Sequence, residues 1–109
     1  MAKIKITGNT NKELVLNFLK LIPRGKVVSF SQIGSIIHLH PRIVGFILTG
    51  MNQAEMSIYP WHRVVNRKGF ISACKLGEKG VVQKKLLEME GIPIQGFQII
   101  EPEKYFWRI

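Results

Sequence analysis

The sequence predicts a mainly α-helical fold class, a winged helix-turn-helix domain with a small β-hairpin wing, formed as a single domain over residues 1–109. Three observations predict it. Capping boxes precede two runs of apolar residues with helical spacing, a three-residue connection joins the second run to a third, and two short segments with strand-forming residues flank a glycine turn. A chain of this length can bury one small core.

The first helix is predicted to begin after Thr10, because Thr10 and Glu13 have the spacing of a capping box, in which each side chain accepts a backbone N–H at the helix start. Apolar residues then recur at helical intervals over 14–22, and Pro23 ends the run. A short extended segment at 26–28 is expected to follow.

The next helix opens a predicted helix-turn-helix. Ser29 and Gln32 form a second capping box, and the inner face of the helix is assigned to Phe30, Ile33 and Ile37. A tight connection, His38-Leu39-His40, should follow this helix. A helical pair with a turn this short is the pattern of a helix-turn-helix, although many small helical domains contain such a pair.

Pro41 is expected to begin the third helix, because the N–H that proline lacks has no helical partner in the first turn. Gly50 should end it. The buried face of this helix is assigned to Ile43, Val44, Ile47 and Leu48.

The second half of the chain is expected to supply the wing. Residues 51–59 are predicted to form a loop. Val64–Asn66 and Phe70–Ser72 should then pair as a hairpin, with Gly69 taking any left-handed position in the turn.

A last helix is predicted over Val81–Glu90, with Val82, Leu86 and Met89 facing inward. A strand is expected at Phe97–Ile100. The aromatic tail is expected to pack back on the body through Tyr105, Phe106 and Trp107.

Charge and cysteine content narrow the class of partner and the setting. Sixteen Lys and Arg residues oppose seven Asp and Glu residues, a formal net charge of +9 at pH 7. Such a balance favours nucleic acid as a partner, although ribosomal proteins, membrane-surface binders and soluble basic proteins share it. Cys74 has no intrachain partner for a disulfide, which indicates a reducing, intracellular setting, the cytoplasm or nucleoid of a prokaryote or the nucleus of a eukaryote. A monomer without membrane contact is expected, since no apolar run approaches the roughly 20 residues that span a bilayer.

Four motifs carry a specific resemblance that covers most of the chain from residue 22 to 91. Pro60-Trp61-His62-Arg63-Val64 resembles the Pro-Cys-His-Arg-Val active-site motif of the O6-alkylguanine-DNA alkyltransferases, with tryptophan in place of the reactive cysteine. The segments that begin at Ile22, Arg42 and Leu86 resemble that family's Ile-Pro-x-Gly-x-Val-x-Ser-Tyr, Arg-x-Val-Gly and Leu-Leu-x-x-Glu-Gly motifs. With Trp61 and an aromatic tail, the chain is similar to the alkyltransferase-like members in particular.

The resemblance implies a non-enzymatic sensor that binds O6-alkylguanine in double-stranded DNA, flips the nucleotide and directs the lesion to nucleotide excision repair. Alkyl transfer requires a soft, deprotonatable nucleophile, and the indole of Trp61 supplies none. His62 and Glu90 match transferase active-site positions, and a structural role is expected for them here. The implied lesion pocket comprises Phe30, Trp61, Val64, Ser72, Ala73, Cys74 and Lys75.

The resemblance also implies how DNA is contacted. The arginine that matches Arg42 fills the space left by an extruded base, and the helix that carries it lies in the minor groove, where little sequence can be read. Phe30 departs from the family's tyrosine and loses its phenolic hydrogen bond, and Asn52 is compared with an asparagine that stiffens the pocket. The implied DNA-binding set is Ser29, Phe30, Pro41, Arg42, Gly45, Arg67 and Lys68.

Two rival functions remain open at this stage. One is an active alkyltransferase that uses Cys74, and the other is a sequence-specific helix-turn-helix transcription factor. No cofactor is expected, and no metal either, because His38, His40 and one distant cysteine do not have zinc-ligand spacing.

Overall fold

The computed structural model describes residues 5–72 and 77–109. Its N-terminal helix, α1, spans Asn11–Leu19 and begins at a side-chain cap. Thr10 Oγ1 accepts the backbone N–H of Glu13 at 3.1 Å, as predicted. The Glu13 carboxylate accepts the N–H of Asn9 rather than that of Thr10, so the reciprocal contact falls one residue earlier. The helix ends three residues before the predicted limit, and Ile22 reaches the core from the turn that follows.

The helix-turn-helix is formed by α2 (Phe30–Ile37) and α3 (Pro41–Thr49). Both halves of the predicted Ser29–Gln32 capping box are present. His38 takes a left-handed conformation, φ 61°, which ends α2 and turns the chain toward α3. Gly50 ends α3 as predicted.

The buried face of α3 is narrower than predicted. Val44 and Leu48 are buried and Ile47 is half-buried. Ile43 is exposed, so its assignment to the buried face is wrong. The physical reason is that residue 43 lies about 100° around the helix from Val44, at the edge of the surface that α2 covers.

A short helix, α4 (Gln53–Ile58), replaces the loop predicted for residues 51–59. Asn52 Oδ1 accepts the N–H of Glu55 at 2.8 Å, and the Glu55 carboxylate accepts the N–H of Asn52 at 3.0 Å. This capping box nucleates the helix despite its length of six residues.

The predicted hairpin between 64–66 and 70–72 is wrong. Strand β2 (Val64–Val65) pairs in parallel with β1 (Val28–Ser29), with Val28 opposite Val64. The turn itself forms, with Gly69 at φ +78° and the Asn66 N–H donating to the Phe70 carbonyl at 3.1 Å. Phe70 then bridges to Gln98 rather than extending a ladder along β2.

The antiparallel hairpin of the described residues lies further along the chain, where β3 (Ile94–Gln95) pairs with β4 (Gln98–Ile99). A mainly helical domain with a helix-turn-helix and small β elements is therefore confirmed. The hairpin lies at residues 94–99 rather than at the predicted residues 64–72.

Helix α5 spans Glu78–Met89, and its inner face differs from the prediction. Val82 is 46% exposed and Met89 is 72% exposed, so only Leu86 of the predicted inward residues packs against the core. Gln83 is buried instead, because its side-chain amide donates to the carbonyls of His62 and Val64 at 3.0 and 2.8 Å. A hydrogen-bonded amide thus occupies a position that hydrophobic periodicity assigns to an apolar side chain.

The C-terminal tail packs on the body as predicted. Backbone hydrogen bonds of 2.8 Å join the Val27 N–H to the Tyr105 carbonyl and the Trp107 N–H to the Val27 carbonyl. Trp107 packs on one hydrophobic cluster, around α1, α2 and α3, and Tyr105 and Phe106 pack on a second, around Val65 and α5. Within residues 5–72 and 77–109, no helix is long and apolar enough to cross a membrane.

Candidate nucleic-acid interface

A cleft of about 590 Å³ opens beside the exposed face of α3. Its lining comes from both helices of the helix-turn-helix, from the turn before β2 and from the first half of α5. Most of the lining is apolar, and its two cations, Arg42 and Lys79, come from different helices. The residues that border it are Phe30, Pro41, Arg42, Gly45, Phe46, Leu48, Thr49, Trp61, Val64, Ser72, Lys79 and Gln83.

Trp61 forms a wall of this cleft. It lies in a single 3₁₀ turn, Trp61–Arg63, directly after Pro60, and is only 7% exposed. The Lys79 ammonium stands over its ring at 5.6 Å from the centroid, within cation–π range. His62 meets the same indole edge-on, with ring centroids 6.3 Å apart. Trp61 thus contributes an aromatic side chain to the wall of the cleft, with a cation over its ring.

Arg42 stands on the exposed face of α3. Its backbone N–H donates to His40 Nδ1 at 3.1 Å, which caps the helix. Its guanidinium makes no hydrogen bond or ion pair with another residue in the described part of the chain. Three residues on, a Cβ added to Gly45 would meet no heavy atom within 4 Å, so the interior of the protein does not require a glycine there.

Behind the Trp61 wall, the Glu90 carboxylate accepts hydrogen bonds from two segments, the turn Trp61–Arg63 and the loop at Gly25. It accepts from His62 Nε2 at 2.5 Å, from Arg63 Nε at 3.0 Å and from the Gly25 backbone N–H at 2.7 Å. Its side chain is 3% exposed. Arg63 also donates to the Ile22 carbonyl at 2.8 Å. This network ties the turn that holds Trp61 to the end of α5 and to the loop before β1.

The pKa values of both titratable groups in this network, His62 and Glu90, are shifted. Burial lowers the pKa of His62 and outweighs the opposing hydrogen bond to Glu90. Burial raises the pKa of Glu90, but the hydrogen bonds from Arg63, the Gly25 N–H and His62 act against it more strongly, so the net pKa is lowered. The carboxylate is therefore ionised near neutral pH and held by several hydrogen-bond donors, which suits a structural role.

Four of the predicted lesion-pocket residues line the cleft: Phe30, Trp61, Val64 and Ser72. The other three, Ala73, Cys74 and Lys75, lie outside the described residues. Their roles stay predictions.

The predicted DNA-binding residues divide into two groups. Phe30, Pro41, Arg42 and Gly45 border the cleft. Ser29 is buried, and its hydroxyl caps α2. Arg67 and Lys68 are exposed on the turn after β2 and do not border the cleft. Asn52 caps α4 and does not line the cleft either.

Sequence reasoning missed three features of the cleft. Phe46 and Thr49 border it, and helical spacing from Arg42 was the signal available to find them. Lys79 also borders the cleft, and its only signal in the sequence is the excess of Lys and Arg between residues 61 and 87, a pattern that can neutralise phosphates. Arg63 belongs to the same stretch, but Glu90 and the Ile22 carbonyl engage it, so it is not free to meet a phosphate.

The fold and the cleft define a small helix-turn-helix domain with an aromatic-walled cleft along its second helix. Residues 10–92 match the family model described as 6-O-methylguanine DNA methyltransferase, DNA binding domain. The chain belongs to this family.

Three relatives illustrate its range. The chain is 37% identical over 89 residues to a DNA base-flipping protein of Vibrio parahaemolyticus, covering 80% of this chain and 85% of the relative. It is 32% identical over 90 residues to a methylated-DNA–protein-cysteine methyltransferase of Sulfolobus acidocaldarius, covering 80% of this chain but 53% of that protein. The structure of S. pombe Atl1 in complex with damaged DNA containing O6-carboxymethylguanine superposes with a TM-score of 0.75 at 28% identity, covering 87% of this chain and 92% of Atl1.

Proposed function

We propose that this protein is a DNA-damage sensor that binds O6-alkylguanine in duplex DNA, flips the damaged nucleotide and leaves it unrepaired. The observation that carries the proposal is the cleft walled by Trp61, which opens beside Arg42 on the exposed face of α3. Similarity to a DNA base-flipping protein and to Atl1, solved with damaged DNA, supports it.

In the proposed complex α3 lies in the minor groove and Arg42 enters the base stack. A planar guanidinium can fill the space of an extruded base and donate to its orphaned partner. The flipped guanine then lies against the indole of Trp61, and its alkyl group meets the apolar lining. The minor groove offers a degenerate pattern of donors and acceptors, so damage rather than sequence is the target.

The absence of transfer follows from chemistry. An alkyl acceptor must be a thiolate or a comparable nucleophile, and the position of the transferases' reactive cysteine is held here by Trp61, whose indole is not one. His62 and Glu90, which match the residues that activate a cysteine in the transferases, bond to each other, and Glu90 also to Arg63. We propose that the pair braces the Trp61 wall.

Binding to matched duplexes containing O6-methylguanine, a larger O6-alkylguanine or plain guanine tests recognition. We expect tighter binding to the alkylated duplexes, lost in Arg42→Ala and retained in Arg108→Ala, a matched control at an exposed arginine away from the cleft. If about six phosphates are neutralised, log K should fall with log salt at a slope of roughly −5. Equal affinity for alkylated and plain duplex would reject the proposal.

Two further measurements separate the rivals. Intact mass after incubation with alkylated DNA should show no added alkyl group, and a stoichiometric alkyl adduct on Cys74 would identify a transferase. A sequence-dependent footprint on undamaged DNA that survives Arg42→Ala would identify a transcription factor instead.

We also propose that the bound lesion is directed to nucleotide excision repair. Because the lesion stays unchanged, a separate system must remove it. In cells, the protection that this protein confers against O6-alkylating agents should vanish when excision repair is inactivated. Full protection without excision repair would contradict the link.

A further inference from the structure

The exposed face of α3 carries a large aromatic side chain that the proposed mode of binding does not use. Phe46 is 70% exposed, belongs to neither hydrophobic cluster of the described residues, and borders the cleft. Removing a phenylalanine side chain from water is favourable, so the fold of the free protein does not explain this position.

Phe46 shares one stripe of α3 with Arg42. At 3.6 residues per turn, positions 42, 45, 46 and 49 fall within about 100° of each other, whereas the buried Val44 and Leu48 lie on the opposite side. All four residues of the stripe border the cleft. The ring thus stands one turn beyond Arg42, and Gly45 beside it leaves open space.

The cations of the cleft decide what kind of partner this ring meets. Arg42 on α3 and Lys79 on α5 border the same cleft as Phe46, in a chain of net charge +9. An aromatic ring next to cations complements the minor groove, where phosphates flank base and sugar surfaces. A purely apolar protein surface would cover both cations and supply neither of them with a negative charge.

We propose that Phe46 is a second DNA wedge, whose ring enters the minor groove one helical turn from Arg42 and stacks on a base next to the flipped nucleotide. The inference rests on the proposed function and adds a residue to it. Apolar side chains inserted at a base step unstack it and kink the duplex toward the major groove. Every base has an aromatic face, so this contact holds the duplex open without selecting a sequence.

The test compares Phe46→Ala with Ile58→Ala, a matched control that is 69% exposed on α4 and does not border the cleft. Binding is measured to O6-methylguanine and plain duplexes with 2-aminopurine at the neighbouring base step. We expect Phe46→Ala to weaken binding to the alkylated duplex about tenfold, or about 1.4 kcal/mol, and to remove the rise in 2-aminopurine fluorescence. Ile58→Ala should change neither.

Salt dependence identifies the kind of contact that is lost. The ring carries no charge, so Phe46→Ala should leave the slope of log K against log salt unchanged, whereas Arg42→Ala, which removes a cation from the DNA interface, should make the slope shallower. Phe46→Leu should keep part of the affinity, because leucine can still act as a wedge. The thermal midpoint of Phe46→Ala should stay close to that of the unaltered protein, since the side chain is exposed.

Wild-type affinity in Phe46→Ala, with lesion preference intact, would overturn the wedge and leave the proposed function standing. A dimer that Phe46→Ala converts to a monomer, with unchanged DNA affinity, would also overturn it. If the unaltered protein bound both duplexes equally, the proposed function would fail. The 2-aminopurine signal on plain duplex would still decide the role of Phe46.

Discussion

The Lys79 ammonium stands over the indole of Trp61, 5.6 Å from the ring centroid, at the wall of the cleft. Trp61 is contributed by the turn before β2 and Lys79 by α5. The cation–π contact therefore joins two segments that are separated in sequence, and it places a positive charge against the surface where we propose that a flipped base lies.

The Trp61 wall should determine lesion preference. Trp61→Phe keeps an aromatic surface and should retain part of the preference for alkylated guanine, whereas Trp61→Ala should abolish it. Trp61→Ala removes a buried side chain and should cost about 3–5 kcal/mol of stability, so its binding is measured below its own thermal midpoint. Full preference in a folded Trp61→Ala protein would show that the indole is not the wall.

Gly45 should show opposite effects on stability and binding. Gly45→Ala should stabilise α3 by about 0.5–1 kcal/mol, because alanine is the better helix former and the added Cβ meets nothing within 4 Å. It should weaken DNA binding if the backbone approaches the minor groove closely. Thermal unfolding and duplex titration measure the two effects.

Gly34 provides the matched control for that substitution. A Cβ at Gly34 would overlap the backbone carbonyl oxygen of Leu39, so Gly34→Ala should lower the free energy of unfolding. Unchanged DNA affinity in Gly45→Ala would show that the α3 backbone does not come close to DNA at this point.

Glu90 should be a principal contributor to stability. Glu90→Gln leaves Arg63 without its carboxylate in a nearly buried site and should cost about 3 kcal/mol of unfolding free energy. Denaturant titration measures the loss. Glu101→Gln breaks an exposed ion pair with Lys104 and should have a much smaller effect. Equal losses of stability in the two variants would contradict the structural role that we assign to Glu90.

The same network predicts that the stability of the protein falls in two separate pH ranges as the solution is acidified. The pKa of His62 is lowered in the folded protein, so unfolding takes up a proton, and stability should fall as pH drops from the imidazole's ordinary value of 6.5. The pKa of Glu90 is also lowered, and its contribution is complete above the ordinary value of 4.5 and lost as pH falls through the lower folded value.

Unfolding free energies measured between pH 7.5 and about pH 3 test this sign. His62→Gln should remove the loss of stability in the upper pH range and keep the loss in the lower range. His38→Asn, at an exposed histidine in a left-handed conformation that asparagine tolerates, should keep both losses. Stability that rises on acidification through the upper pH range would contradict the assignment.

Local features could be predicted from the sequence because they depend on residues three or four positions apart. The Ser29–Gln32 capping box, Pro41 in the first turn of α3 and Gly69 in its turn all occur as expected. The Asn52–Glu55 box gives the same signal, and attention to it would have predicted α4.

The order of the motifs in the sequence was sufficient to predict the family and to single out Trp61 and Arg42, which both line the cleft. The tertiary structure alone decided the partner of β2, which lies 36 residues upstream at Val28 ↔ Val64. It also decided the burial of Gln83, whose acceptors are the carbonyls of His62 and Val64, and the exposure of Phe46. The physical reason is that helix caps are satisfied within one turn, whereas strand pairing, buried amides and the exposed face of a helix depend on which distant segments occupy the neighbouring space.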